Sequence, residues 1–407
     1  MVTSVRTTLR PAYIVDAVRT PIGKAAGALS SVRADDLAVH VIEALVARQP
    51  ACAERIDHVI FGAINQAGED NRNVARMALL TAGLPHEIPG VTVNRLCGSG
   101  LEAIADAARM IAVGEADCVI AGGVESMTRA PYVMAKPARA FDRKPPEIFD
   151  TSLGWRFINP RLAERYEPIS MGATAENVAR KYSVSRSDQD AYAVESHRRA
   201  AAATDAGAFA DEIVPVAVPR RKGEPLVVTR DECIRPDCSL DGLAKLRPVF
   251  RADGTVTAGN ASPINDGAAA VLVVSGAVLE QCSAASLGRL IGSTAVGVDP
   301  ATMGEGPIYA VRKLLERTNL RAPMLDLVEL NEAFAAQALA CIRALELPPD
   351  RVNVNGGAIA LGHPIGCSGA RIMVTLVHEM KQREARLGLA SLCIGVGQGV
   401  ATLVERG

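Results

Sequence analysis

Two periods of apolar spacing take turns along this chain. Short β-branched runs at 13–18, 56–63, 91–94 (VTVN) and 117–121 read as strands. Between them, helical spacing covers 35–48, the stretch around 73–82, and 101–113. The order then returns. RLIGSTAVGV (289–298) reads as a strand and 308–318 as a helix. LDLVELNEAF parallels IDHVIFGAIN, and VNVN (352–355) parallels VTVN as a strand. A helix follows GCSGARI, and strands at 389–394 and 400–404 close the chain. Strands alternating with helices predict an α/β protein with parallel-rich sheets covered by helices, and the repeated order predicts an internal duplication.

The stretch 129–258 breaks the pattern. It is rich in Pro, Arg and Asp, holds the only tryptophan, Trp155, and carries a helical segment over 173–203, within which Ser187, before DQDAYAVESHRRAAAA, is an expected helix N-cap. The predicted organisation is an N-terminal half at 1–128, completed by about 259–283, a loop-rich insert at 129–258, and a C-terminal half at 284–407.

Composition narrows the function. The chain has 407 residues, long enough for about two or three packed units. Hydrophobic residues make up 49% and aromatics only 3%. That argues against a base-stacking nucleic-acid platform. Net charge is −1 with no basic stripe, so neither nucleic acid nor a membrane surface is an expected partner. No apolar run approaches membrane-spanning length. The opening MVTSVRTTLRPAY lacks the apolar core of a secretory signal and is expected to be a frayed tail. Nine cysteines, an odd number, are expected to be reduced thiols in a cytoplasmic protein. Cys233 and Cys238 are closely spaced but lack a second pair or a nearby His, so no metal site is expected.

Cys97, in NRLCGSGLEAI, sits between a strand and a helix with two glycines to make a sharp turn. Its sulfur would lie near a helix N-terminus, which favours the thiolate. The plain alternative is a buried structural cysteine, the reading adopted for Cys118. His363, in GGAIALGHPIGCSGARI, could act as a base or an oxyanion donor, or be an ordinary loop histidine. Cys393 ends a strand in SLCIGVGQG. If the halves pack about a pseudo-twofold axis, the three loops could converge at strand carboxyl ends. Asn331, heading NEAFAAQAL, could cap a helix or hold a water or carbonyl oxygen.

Together LCGSG, AGGVESM, TAENVA, TAGNAS with NDGAAA, NEAFAAQ, GGAIALGHPIGCSGAR and CIGVGQG, in this order, resemble the thiolase family across essentially the whole chain. The resemblance implies a thiolase fold of two βαβαβαββ halves in a five-layer α-β-α-β-α arrangement with an inserted loop domain. It implies an acyltransferase that cleaves a 3-ketoacyl-CoA with coenzyme A, or runs the reverse Claisen condensation, by a ping-pong Cys-acyl mechanism. Coenzyme A is then a substrate and no cofactor is required. Cys97 would be acylated, His363 would activate it, Cys393 would move the α-proton, and Asn331 would hold an oxyanion-hole water with His363. The N–H groups of Cys97 and Gly395 would form a second oxyanion hole. Arg235 and Ser262 would contact coenzyme A, while Met171, Ala258, Met303, Ala333 and Phe334 would line the acyl and pantetheine channel. A homotetramer built as a dimer of dimers is implied.

One departure bears on the substrate. Many short-chain acetyl-CoA acetyltransferases have His where this chain has Ser170. DTSLGWRFINP (150–160) instead resembles the 3-oxoadipyl-CoA thiolases of aromatic degradation, so Arg156 or Arg161 could meet a distal carboxylate; both could equally make surface or subunit salt bridges. The same loop also occurs in general 3-ketoacyl-CoA thiolases of β-oxidation. Competing classes are a short-chain acetyl-CoA acetyltransferase, a ketoacyl-synthase-type condensing enzyme, which lacks a second cysteine in CIGxGxG, and a non-catalytic lipid-carrier relative.

Overall fold

The computed structural model describes residues 9–137, 139–141 and 143–407; most of the expected N-terminal tail lies outside them. The first half comprises β1 (Ala12–Arg19), α1 (Ala34–Arg48), β2 (His58–Gly62), α2 (Val74–Thr81), β3 (Gly90–Val93), α3 (Ser99–Val113) and β4 (Cys118–Ser126). The insert carries β5 (Tyr132–Met134), β6 (Ile148–Asp150), α4 (Met171–Lys181), α5 (Arg186–Asp205), β7 (Val216–Val218) and β8 (Leu226–Val228). Then follow β9 (Asn265–Ser275), β10 (Gly288–Gly297), α6 (Gly306–Thr318), β11 (Leu327–Leu330), α7 (Ala335–Ala344), α8 (Ile365–Gln382), β12 (Leu387–Ile394) and β13 (Gln398–Glu405).

The main strands run in one continuous order, β11-β12-β13-β10-β1-β9-β4-β2-β3, whose halves β1-β9-β4-β2-β3 and β11-β12-β13-β10 form the first and second sheets of the fold. The halves meet where Ala12–Ile14 pairs antiparallel with Gly288–Leu290. Each half repeats one topology: β2 lies parallel to β4 and β4 antiparallel to β9, while β11 lies parallel to β12 and β12 antiparallel to β13. Three apolar cores separate the layers. One, between the sheets, is filled from α3 and α8 by Leu101, Ile104, Ile372 and Leu376. The second packs α1 and α2 on the outer face of the first sheet, through Leu37, Ile42, Val74 and Leu79. The third packs α6 and α7 on the second, through Val311, Leu314, Ala338 and Cys341. The result is the five-layer α-β-α-β-α arrangement, with β9 completing the first sheet after the insert.

Three local expectations are corrected. VNVN does not form a strand: Val352 makes a single parallel bridge with Val328. Asn353, at φ +47°, ends the run. Its side chain takes the place of a strand, accepting from Leu330 N at 2.8 Å and donating to Leu330 O at 2.7 Å. The helical segment over 173–203 is two helices, parted at Ser183 with φ +52°. Ser185, not Ser187, caps the second, its hydroxyl accepting from Asp188 N at 3.1 Å. Finally, β4 continues through GGVES to Ser126 and is buried throughout.

Candidate active site

Cys97 lies between β3 and α3. The left-handed residue of its turn is Leu96, at φ +46°, not a glycine; Gly98 has φ −84°. Asn94 Oδ1 accepts from Leu96 N at 3.0 Å, and Ser99 Oγ accepts from Arg95 N at 2.9 Å while donating to Leu96 O at 2.6 Å. The glycines serve close approach instead. A Cβ on Gly98 would fall 2.7 Å from Ile394 Cδ1, next to Cys393, and one on Gly100 would fall 2.6 Å from Ala370 N on α8. The Cys97 turn is thereby seated on both other motifs.

Cys97 is partly exposed. Burial of its thiol pushes the pKa above the ordinary value, against the backbone N–H groups of Gly395 and of Cys97 itself, which lie within hydrogen-bonding reach and pull it down. Desolvation thus opposes the thiolate that the helix terminus favours. Cys393, at the end of β12, is fully buried. Its thiol is pushed well above the usual range by burial and then by Cys97.

His363 is buried, and burial, helped by the Arg371 charge, lowers its pKa to about 4. It is therefore neutral at neutral pH. Its backbone N–H donates to Asn265 Oδ1 at 2.9 Å, and ring Nδ1 lies 2.6 Å from Ser368 Oγ. Ser368 Oγ also lies 2.9 Å from Pro364 O, which can only accept. The hydroxyl proton therefore goes to Pro364, Nδ1–H donates to Ser368, and Nε2 keeps a free lone pair.

Asn331 does not cap a helix. Its backbone N–H bonds Ser391 O at 3.0 Å, and it is fully buried. Neither Oδ1 nor Nδ2 has a hydrogen-bond partner among the described residues. A buried amide in that condition is suited to a ligand or an ordered water.

Met303, Ala333 and Cys393 form one apolar cluster, with Met171 and Phe334 packed against it. Ser262 reaches it by two bonds of 3.0 Å, from N and Oγ, to Ala333 O. Ala258 lies four residues earlier and is exposed. Arg235 is exposed on the insert, where its backbone N–H donates to His197 Nδ1 at 3.2 Å.

Several residues that hold this site escaped the sequence reading. Ser368 and Asn265 both stand inside motifs quoted above, but nothing in the motifs pairs them with His363. Glu125, fully buried, accepts from Ile64 N, Asn65 N and Gly366 N at 3.0, 3.2 and 3.0 Å and so ties β4 to the start of α8. Glu332 accepts from Tyr192, Ser196, Asn353 and the Ile359 N–H, joining the insert to the loop that leads to His363.

The thiolase N-terminal domain family matches residues 12–277, and the thiolase C-terminal domain family matches 284–406. The chain belongs to the thiolase family. Thiolases are acyltransferases, and this one is similar over nearly its whole length to named relatives. It is 55% identical over 401 residues to the beta-ketoadipyl-CoA thiolase of Acinetobacter baylyi, covering 98% of this chain and 100% of that one. It is 53% identical over 405 residues to the 3-oxoadipyl-CoA/3-oxo-5,6-dehydrosuberyl-CoA thiolase of Escherichia coli, covering 98% and 100%. Among solved structures, human mitochondrial 3-ketoacyl-CoA thiolase in complex with CoA superposes with a TM-score of 0.90 at 40% identity, covering 98% and 99%. The acetyl-CoA acetyltransferase of Bacillus anthracis gives 0.92 at 42%, covering 98% and 100%.

Proposed function

We propose that this thiolase cleaves 3-oxoadipyl-CoA with coenzyme A, yielding acetyl-CoA and succinyl-CoA, through an acyl group carried on Cys97. The observation that carries the chemistry is the approach of Cys97 to buried Cys393 and to the Gly395 N–H, and the base assigned to them is neutral His363, with its Nε2 lone pair free. The substrate rests on the GWRF loop and the names of the relatives.

Nε2 of His363 takes the Cys97 proton as sulfur adds to the C3 ketone. The C2–C3 bond breaks, and its electron pair passes into the acetyl-CoA enolate. Cys393, protonated because of its raised pKa, donates to C2. Coenzyme A then loses its thiol proton to the Cys393 thiolate and its sulfur attacks the thioester carbonyl carbon; Cys97 leaves as the thiolate and takes back the proton held on His363, and succinyl-CoA is released. The N–H groups of Cys97 and Gly395 stabilise one oxyanion, and Asn331 through a water with His363 the other; one such donor contributes about 3–4 kcal/mol elsewhere. None of these steps calls on a metal or redox cofactor. Arg235 and Ser262 contact coenzyme A, and Met171, Ala258, Met303, Ala333 and Phe334 line its channel.

The protein works in the cytoplasm as a tetramer of paired dimers. Supporting the assembly, the β5–β6 hairpin exposes Tyr132, Met134 and Ile148 by 62–74%. The decisive assay is CoA-dependent cleavage of a panel of 3-ketoacyl-CoA substrates. Faster turnover of 3-oxoadipyl-CoA than of an uncharged substrate of equal length supports the reading. Preference for acetoacetyl-CoA would replace it with a short-chain acetyltransferase.

A further inference from the structure

The segment 150–160 holds an arginine that the chemistry above does not use. Gly154 has φ +76° and Phe157 φ +50°, so Trp155 and Arg156 lie between two left-handed residues. A phenylalanine keeps that backbone only where its surroundings over-determine it. Here they do. Trp155 Nε1 donates to Ile169 O at 2.9 Å, the Phe157 ring packs edge-on to Phe149 with centroids 5.0 Å apart, and Thr151 Oγ1 donates to Pro131 O at 2.6 Å. Ile169 stands two residues before Met171, and a Cβ on Gly395 would fall 3.4 Å from Met171 Sδ. The turn is thus tied through Ile169 to the start of α4, whose Met171 packs against the cluster that holds Cys393.

Arg156 is half-buried and makes no ion pair or side-chain hydrogen bond among the described residues. Other half-buried arginines are paired: Arg95 with Glu102, Arg186 with Asp190 and Arg199 with Glu195. A guanidinium offers a planar fork of donors that matches a carboxylate, and leaving it partly desolvated without an acceptor is costly. Arg161 differs, being exposed on the single helical turn Pro160–Ala163. In a 3-oxoadipyl group the distal carboxylate lies only three C–C bonds, roughly 4 Å, beyond the carbon that Cys97 attacks. Its partner must therefore lie close to the cysteines, which favours half-buried Arg156 over exposed Arg161.

We propose that Arg156 recognises the distal carboxylate of the acyl chain, and that the 154–157 turn selects dicarboxylic 3-ketoacyl thioesters. This deepens the 3-oxoadipyl reading and rests on it. The test compares kcat and KM for 3-oxoadipyl-CoA and 3-oxohexanoyl-CoA in the full-length wild type, Arg156→Met, Arg156→Lys and Arg161→Met. The wild type should favour the charged substrate. Arg156→Met should lower the charged-to-uncharged ratio of kcat/KM by about 10- to 100-fold, mainly through KM for 3-oxoadipyl-CoA. Lysine should restore part of it, having the charge without the fork. Arg161→Met should keep the wild-type ratio. A wild type without preference refutes the substrate reading and this proposal together. A wild type with preference and an Arg156→Met ratio within twofold of it overturns Arg156 alone, as does a collapse confined to Arg161→Met. Wild-type arginine footprinting with phenylglyoxal decides the matter without variants. Succinyl-CoA should protect Arg156 and butanoyl-CoA should not; equal labelling would overturn the assignment.

Discussion

Ser368→Ala probes the part of the site that no motif announces. Ser368 Oγ sits 2.6 Å from His363 Nδ1 and 2.9 Å from Pro364 O. It holds the imidazole proton on Nδ1 and leaves Nε2 as the base. Alanine removes the acceptor, and His363 is too buried for bulk water to replace it. An unpartnered buried N–H costs about 1–3 kcal/mol. The ring escapes that cost by moving its proton to Nε2 or by turning, and either escape removes the base from most molecules. With about 1.4 kcal/mol per factor of ten, kcat/KM for thiolysis should fall by roughly 5- to 150-fold. The assay is CoA-dependent thiolysis of a 3-ketoacyl-CoA from pH 6 to 9, with a thermal melt on each sample. Ser368→Thr, which keeps the hydroxyl, should retain more activity than alanine. An alanine variant with wild-type kcat/KM, pH profile and melting temperature would refute the tautomer argument.

Two further outcomes follow from the packing around the site. Burial raises the Glu125 pKa from 4.5 to about 7. The folded protein therefore keeps that proton to higher pH than the unfolded chain does, and the contribution is complete below about 4.5 and lost as pH rises through 7. The difference corresponds to about 3 kcal/mol, so Glu125→Gln should lose less stability than wild type between pH 5 and 8, as read by melts at each pH; parallel curves would contradict this. Gly100→Ala would place a Cβ 2.6 Å from Ala370 N and 3.0 Å from Gly366 O, both backbone atoms that cannot yield. An exposed helical Gly→Ala change stabilises by about 0.5–1 kcal/mol, but here α3 and α8 must part, costing about 1–3 kcal/mol; the melt should fall and thiolysis with it, and a higher melting temperature would contradict the packing argument.

The sequence disclosed most where a pattern is local. Alternating periods located both halves, and the repeated order foretold the matching topologies of β2-β4-β9 and β11-β12-β13. It misled where one side chain overrides a pattern. VNVN has strand composition, yet Asn353 supplies by its amide the bonds that a strand would supply by its backbone. LCGSG pointed to a glycine-made turn, whereas Leu96 takes the left-handed backbone and the glycines exist to let other chains approach. At Cys97 the helix terminus is visible in sequence, whereas the desolvation that opposes it is not. Ser368, Asn265, Glu125 and Glu332 act through pairings across 5, 98, up to 241 and up to 140 positions, which one sequence cannot pair.

The central claim is that Cys97 carries the acyl group. Brief incubation with 3-oxoadipyl-CoA without free coenzyme A, acid quench, and intact-protein and peptide mass spectrometry test it directly. The account predicts one added succinyl group, on the peptide containing Cys97, lost on adding coenzyme A and absent from Cys97→Ser. A Cys97→Ser variant with full thiolysis, or an acyl group found on another residue, would contradict it.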